Sequence, residues 1–399
     1  MSLRILNVIN SMDPATGGPC QGIRNMVPEL NKYGIESEVV CLDPCNAPFL
    51  KDDLFTVHAL GASRGYWKYH PTLYSWLISN MLHYDVILVR GLWLFHSFAV
   101  TKALLHLKRR KVKQLPRVYV VPHGMLDPWF QRAQGRKWKS LRNIVYWHLI
   151  EKGVVKNADG LLFTCASELL LARNTFSGYK PKVELNIGYG IQEPPAHEER
   201  MLQLLHEKVP ESFTNRYLLF LGRLHEKKGI DVLLEAYRQL LRDGVDLPVL
   251  VIAGPGLNTL YGDKIRSVVD EDSNLREKVI FTGMLTGVLK WSAIYHAAAF
   301  VLPSHQENFG IAVVEALACG KPVLITNQIN IYSEIQKGEA GLVVPDTLTG
   351  VVTMLRTWIQ LPEVEKMQLS QNAKDLYRKE FTVESAAQKM IQMLRLKHL

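Results

Sequence analysis

Val301-Leu-Pro-Ser-His-Gln-Glu-Asn-Phe-Gly-Ile-Ala-Val-Val-Glu-Ala-Leu-Ala-Cys-Gly-Lys-Pro-Val-Leu324 reads as a buried strand, a loop, a helix and a second buried strand. Glu307 and Glu315 bracket the point where loop becomes helix, and Gly310 lies between them. The first N–H groups of a helix have no partner within it, and such ends hold phosphates. Carboxylates accept hydrogen bonds from sugar hydroxyls. This one local unit has the groups to grip a nucleotide sugar at both ends.

Outward from that unit, short apolar runs alternate with helical periodicity along the chain. Strands are expected at Arg4–Ile9, Glu38–Leu42, Asp85–Val89, Arg117–Val121, Gly160–Phe163 and Lys182–Asn186. A second set follows at Tyr217–Leu221, Pro248–Ala253, Lys278–Thr282, Ala299–Leu302, Pro322–Thr326 and Gly341–Val344. Most are continuously apolar, as parallel strands covered on both faces are. The result is a β-α-β pattern given twice, an α/β protein. The break falls at Gln192-Glu-Pro-Pro-Ala-His-Glu-Glu-Arg200, whose prolines and charges suit a linker. At 399 residues the chain is also too long for one ordinary core. We expect an N-terminal domain over 1–191, a linker region over 192–215 and a C-terminal domain over 216–382. A last helix, Val383–Leu396, carries Ala386, Ala387, Met390, Ile391 and Leu394 on one side and can pack on either domain.

A chain that is 47% hydrophobic and 21% charged is globular, not disordered. The formal charge of +9 calls for an anionic partner: a nucleotide, a nucleic acid or a membrane surface. The cysteines, Cys20, Cys41, Cys45, Cys165 and Cys319, are odd in number and irregular in spacing. No Cys/His pair completes a zinc set, so no metal site is expected, and free thiols fit a reducing cytosol. The N-terminus runs straight into a strand pattern without an export leader. No apolar run reaches the ~20 residues of a membrane span. Membrane contact would be peripheral, and the expected location is the cytoplasm, at the inner face of the plasma membrane.

Several loops can carry chemistry. Thr16-Gly17-Gly18-Pro19 precedes a helix from about Cys20 to Tyr33; it lets a ligand approach the backbone or serves as a plain turn. It is not the dinucleotide fingerprint. Gly222-Arg223-Leu-His-Glu-Lys227-Lys228-Gly229 follows a strand, at the edge where open α/β sheets bind ligands. Arg223 and Lys228 suit a diphosphate; the bland alternative is a solvated basic loop. Gly254 and the run Gly283-Met284-Leu285 sit at the same edge and can meet a base or ribose through backbone atoms. His123, after the strand Arg117–Val121, can hydrogen-bond a sugar hydroxyl or exchange a proton. Glu307 and Glu315, so near in sequence, sit on one side of a ligand and make a grip, not a glycosidase pair.

From Lys102 to Arg142 the chain is strongly basic, with Asp127 its only acid. Lys108, Arg109, Arg110, Lys111 and Lys113 come first; Arg132, Arg136, Lys137 and Lys139 follow. Trp129, Phe130 and Trp138 are interleaved, with Tyr146 and Trp147 beyond. Such a mixture over 102–147 suits an anionic membrane or a solvated surface. No nucleic-acid recognition motif accompanies it, so no nucleic-acid partner is expected.

Together these residues resemble the retaining glycosyltransferases of family 4. Glu307 and Glu315 match that family's Glu-x7-Glu element; Gly222, Arg223, Lys228 and Gly229 match its Gly-Arg…Lys-Gly element. Gly17 and Gly18 match its Gly-Gly loop and His123 its histidine. The resemblance covers nearly the whole chain. The run His123-Gly-Met-Leu-Asp-Pro-Trp129 is similar to bacterial surface-polysaccharide enzymes, including those of cyanobacterial heterocyst envelope assembly. One departure is Asn186-Ile-Gly-Tyr189-Gly190-Ile191, where the family often has Pro-Asn-Gly.

The resemblance implies a GT-B fold, two Rossmann-like domains facing a central cleft, with the last helix (383–399) returned to the first, acceptor-side domain. It implies metal-independent transfer of a hexose from a nucleotide-diphosphate sugar, UDP-glucose first, to a glycan or lipid-linked glycan, with no other cofactor. His123, Glu307, Arg223 and Lys228 would be catalytic. Gly17, Gly18, Gly254, Gly283, Met284, Leu285, Asn308, Phe309, Gly310, Ile311 and Glu315 would bind donor. A sugar-nucleotide epimerase and a non-catalytic membrane-associated sugar-nucleotide binder are the competing readings.

Overall fold

In the computed structural model, which describes residues 3–132, 137–208 and 217–396, the apolar runs assemble into two parallel sheets. The first contains β1 (Arg4–Val8), β2 (Glu36–Cys41), β3 (Val57–Ala59), β4 (Val86–Arg90), β5 (Arg117–Val121), β6 (Gly160–Phe163) and β7 (Glu184–Asn186). Its order is β3-β2-β1-β4-β5-β6-β7. The second contains β8 (Tyr217–Leu221), β9 (Val249–Ala253), β10 (Val279–Gly283), β11 (Ala299–Leu302), β12 (Val323–Thr326) and β13 (Gly341–Val344). Its order is β10-β9-β8-β11-β12-β13. These are the Rossmann-like sheets of the GT-B architecture.

Continuous apolarity has its reason in the packing. Along β1, Leu6 and Val8 face one core layer with Ile87, Val89, Val120 and Phe163. Ile5, of the opposite parity, faces the other layer with Val86, Leu88, Val121 and Leu162. Both faces are buried, so both parities must be apolar. The exception is β3, absent from the expected strands. It is three half-buried residues at the sheet edge, too short to leave a pattern.

Contacts divide the chain into one unit of 1–190 with 383–399 and another of 191–382. The helix Val383–Leu396 lays Ala386, Ala387, Met390, Ile391 and Leu394 against Ile5, Met26, Leu30 and Tyr119 of the first unit. The chain passes between units at Ile191 and again at Thr382, and these two residues pair as an isolated parallel bridge.

Three expectations need revision. Arg200–Lys208, placed in the linker, is a helix of the second unit. Met201 and Leu205, one turn apart, are buried, and Ser292 Oγ donates to the Met201 carbonyl at 2.6 Å. The first helix begins at Gly18 instead of Cys20. Trp147 is no surface aromatic: it is fully buried and stacks on Phe176 at 4.7 Å. Arg136 of the basic stretch and residues 209–216 of the expected linker and domain start lie outside the described residues.

Met390 is fully buried. Met390→Ala should cost about 2–5 kcal/mol of stability, with the loss confined to the first unit. Hydrogen exchange with mass spectrometry would localise it; protection lost only in the second unit would contradict the packing.

Candidate active site

In the second sheet β8 is the turning point of strand order, flanked by β9 and β11. A crevice opens at the carboxyl ends of such strands. The loops leaving β8 and β11 carry the candidate residues Arg223, Lys228 and Glu307.

After β8, Gly222 leads to Arg223, which is exposed and enters no ion pair among the described residues. A short 3-10 turn, Glu226–Lys228, ends on Gly229 at φ +66°, which opens the helix Ile230–Arg242. After β11, Pro303 and the buried Ser304 lead to Glu307. The Glu307 backbone pairs with Ile329, fixing the loop's path. Its carboxylate forms an ion pair with Lys228, each side chain only about one-fifth exposed (22% and 21%). The expected grip thus has a counter-ion that spacing alone did not assign to it.

Gly310 takes φ +75° as the N-cap of the helix Ile311–Ala318, and no side chain caps that end. Its first N–H groups are available to an anion. The Phe309 side chain turns inward, 6% exposed, against Phe381 at 5.7 Å. Only its backbone can serve a ligand, a narrowing of the expected donor set. Asn308 Oδ1 accepts from Asn330 at 3.4 Å.

One turn into the helix, Glu315 accepts from Lys290 Nζ at 2.8 Å and is 12% exposed. Lys290 escaped the sequence reading because it lies in an ordinary-looking helix, Gly287–His296, remote from any motif. Gly254 and Gly283 are joined by a hydrogen bond, Gly254 N to Gly283 O, at 2.8 Å. Met284 beside them is 67% exposed, whereas Leu285 is buried and can offer only backbone.

In the first unit, Gly17 takes φ +93° before the helix Gly18–Lys32. Tyr189 donates from its hydroxyl to Gly18 O at 2.7 Å. A Cβ at Gly22 would meet Tyr189 at 2.8 Å. The departure from Pro-Asn-Gly therefore supplies a tyrosine that fastens the Gly-Gly loop.

His123 follows β5 with φ +52°, a left-handed backbone that is uncommon outside glycine. Gly124 N donates to Glu168 Oε1 at 2.5 Å, and Glu168 Oε2 accepts from Thr164 N and Oγ1. Glu168 thus pins the strained turn. The His123 Nε2 is buried without a partner. Burial, then the Arg90 cation, lowers its pKa to about 3. Proton exchange near neutrality, one of the two roles open to it from sequence, does not fit that value; a hydrogen bond from a neutral ring does. Arg90 is itself buried and donates from Nε and Nη2 to Asn7 Oδ1 at 3.0 and 2.8 Å. Neither Arg90 nor Asn7 stood out, since each ends or interrupts an apolar strand. Glu151 is another buried carboxyl, pushed to about 7 by burial. It accepts from Trp93 N and Ser97 Oγ.

Comparison with known proteins agrees with the fold. The family model for glycosyl transferases group 1 matches residues 203–376, and that for the glycosyl transferase 4-like domain matches 17–186. A D-inositol 3-phosphate glycosyltransferase of Corynebacterium urealyticum is 28% identical over 200 residues, 49% of this chain and 47% of the relative. An alpha-monoglucosyldiacylglycerol synthase of Streptococcus pneumoniae is 32% identical over 182 residues, 43% and 38% of the two. The matched stretch spans less than half the length of these relatives. Among solved structures, HepE of Anabaena in complex with UDP and glucose superposes with a TM-score of 0.71 at 16% identity. That match covers 98% of this chain and 99% of HepE. Sucrose-phosphate synthase of Thermosynechococcus elongatus gives 0.72 at 19%, covering 99% of each. At these identities the likeness is one of fold.

His123 should remain neutral at pH 5, visible as a neutral tautomer in a long-range ¹H–¹⁵N spectrum. Its folded pKa is lowered from 6.5 to about 3, so the unfolded chain takes up the proton first. The stability held by the neutral ring is full above about 6.5 and is lost as pH falls towards about 3. An imidazolium signal from folded protein at pH 6 would overturn the burial argument.

Proposed function

This chain belongs to the GT-B glycosyltransferases of group 1, and from that premise we propose that it moves a hexose from a nucleotide-diphosphate sugar to a glycan or lipid-linked glycan, with retained configuration. The observation that carries the reading is the convergence of Lys228, Arg223, Glu307 and the uncapped helix Ile311–Ala318 on the loops after β8 and β11.

In this reading the diphosphate lies against Arg223, Lys228 and the first N–H groups of Ile311–Ala318. Glu315 accepts from the ribose hydroxyls, with Lys290 holding its carboxylate in place. Backbone atoms at Gly254, Gly283, Met284 and Leu285 meet the base. Glu307 orients the hexose, and Asn308 assists. As the anomeric C–O bond breaks, negative charge grows on the leaving diphosphate. Fixed cations and the helix N-terminus stabilise it without reorganising, so the transfer needs no metal. The acceptor oxygen bonds to the anomeric carbon on the side the diphosphate leaves, and a departing phosphate oxygen takes the acceptor proton. His123 of the first unit, neutral, has a hydrogen bond to offer a ligand and no proton.

UDP-glucose is the first donor to test, in line with HepE's UDP and glucose complex. A lipid-linked acceptor is in line with the pneumococcal relative, whose product name is a glucosyldiacylglycerol. Polysaccharide assembly is the setting that the resemblance of the run His123–Trp129 to surface-polysaccharide enzymes supports.

A thermal-shift series of UDP- and GDP-sugars should give its largest rise with UDP-glucose, since a ligand of the folded form raises Tm. Arg223→Ala, Lys228→Ala and Glu307→Ala should each lower transfer by about 10²–10³-fold. Glu315→Gln should weaken UDP binding about tenfold, the loss of a hydrogen bond to a charged group. Near-normal transfer by all three alanine variants would reject the site. Conversion of donor to an isomer with no acceptor present would favour an epimerase.

A further inference from the structure

The helix Lys137–Tyr146 and the π-turn Trp147–Glu151 that continues it have two unlike sides. Trp147 and Glu151 are buried. The other side carries Trp138 at 85% exposed, Leu141 at 54%, Val145 at 51% and Leu149 at 78%. Spacings of three and four residues put these side chains in one stripe, and Ile144 at 43% widens it. Large apolar side chains massed on a surface mark an interaction site.

The surrounding charge identifies the occupant. Arg132, Lys139, Arg142, Lys152 and Lys156 are all exposed. Ion pairs among the described residues involve none of them. From 128 to 158 the only acid is Glu151, which is buried. An apolar stripe ringed by free cations fits the headgroup layer of an anionic bilayer. A second copy of this chain would bring like charges together. The earlier half of the basic stretch has no such stripe; Lys102, for example, sits over the Tyr74 ring at 5.3 Å.

We propose that Trp138, Leu141, Val145 and Leu149 insert into an anionic lipid leaflet while Lys139 and Arg142 lie among its headgroups. Tryptophan suits that depth. The contact is monotopic, for no described helix is long and apolar enough to cross a membrane. It is independent of the donor chemistry, since none of these residues belongs to the second unit's site.

Co-sedimentation with phosphatidylcholine vesicles, with and without phosphatidylglycerol, tests it on the full chain. Wild type should partition at least about tenfold more strongly onto the anionic vesicles. The double variant Trp138→Glu with Leu149→Glu should lower that partition about tenfold or more while leaving the Tm unchanged. Lys139→Glu with Arg142→Glu should remove the preference for anionic lipid. Equal binding of wild type and both variants would overturn the proposal. So would lipid-free dimerisation in sedimentation velocity that Trp138→Glu with Leu149→Glu abolishes, because the stripe would then cover a second copy.

Discussion

The contact between Gly229 and the Pro303 carbonyl governs the site in the second unit. A Cβ at 229 would stand 2.0 Å from that oxygen, and the residue's φ of +66° is itself unfavourable to side chains. A second contact of the same kind lies next to it: a Cβ at Gly254 would stand 1.9 Å from the Gly222 carbonyl. Two missing methyl groups thus draw the loops after β8, β9 and β11 together. Lys228, one residue before Gly229, then falls beside Glu307, four residues past Pro303. The ion pair follows from the backbone approach.

A different economy of charge operates in the first unit. Arg90 is buried with an amide oxygen, not a carboxylate, as its hydrogen-bond partner. Burial lowers its pKa to about 10, which leaves it a cation at neutral pH. Burial is the main reason that His123 stays neutral, and a second cation beside Arg90 in low dielectric would add to the cost. Glu168 supplies the rigid support, holding Gly124 N and Thr164 with its two carboxylate oxygens. The strained turn at His123 persists because these bonds over-determine it.

Strands read cleanly from sequence where both faces are buried, as at β5, β6, β8 and β11. Burial on two sides forces unbroken apolarity, and loops punctuate it. β3 left no such trace because an edge strand of three residues needs none. The helix Arg200–Lys208 was hidden by neighbouring prolines and charges, though Met201 and Leu205 have helical spacing. Glu307, Glu315, Arg223 and Lys228 were visible because a loop and a helix start confine them to one local unit. Lys290, Arg90 and Asn7 were not, since only the sheet order and helix packing bring them to their partners. His123 could be located from sequence but not its protonation, which depends first on its burial and then on Arg90 from another strand.

The distribution of charge separates two roles that the net value of +9 merges. Within the candidate site of the second unit, Lys228 is balanced by Glu307 and Lys290 by Glu315. Arg223 is left as its excess cation among these groups. A site so nearly neutral selects a ligand through geometry and oriented N–H groups more than through long-range attraction. Exposed cations outside such ion pairs include Lys108, Arg109, Arg110, Lys111 and Lys113 and, around exposed apolar side chains, Arg132, Lys139, Arg142, Lys152 and Lys156. Such an excess acts over a Debye length of about 8 Å at physiological salt, enough to draw the chain to an anionic surface. The basic character of this protein thus lies largely outside the candidate site, on surfaces such as that of Arg132, Lys139, Arg142, Lys152 and Lys156, while the charges of the site itself are locally balanced.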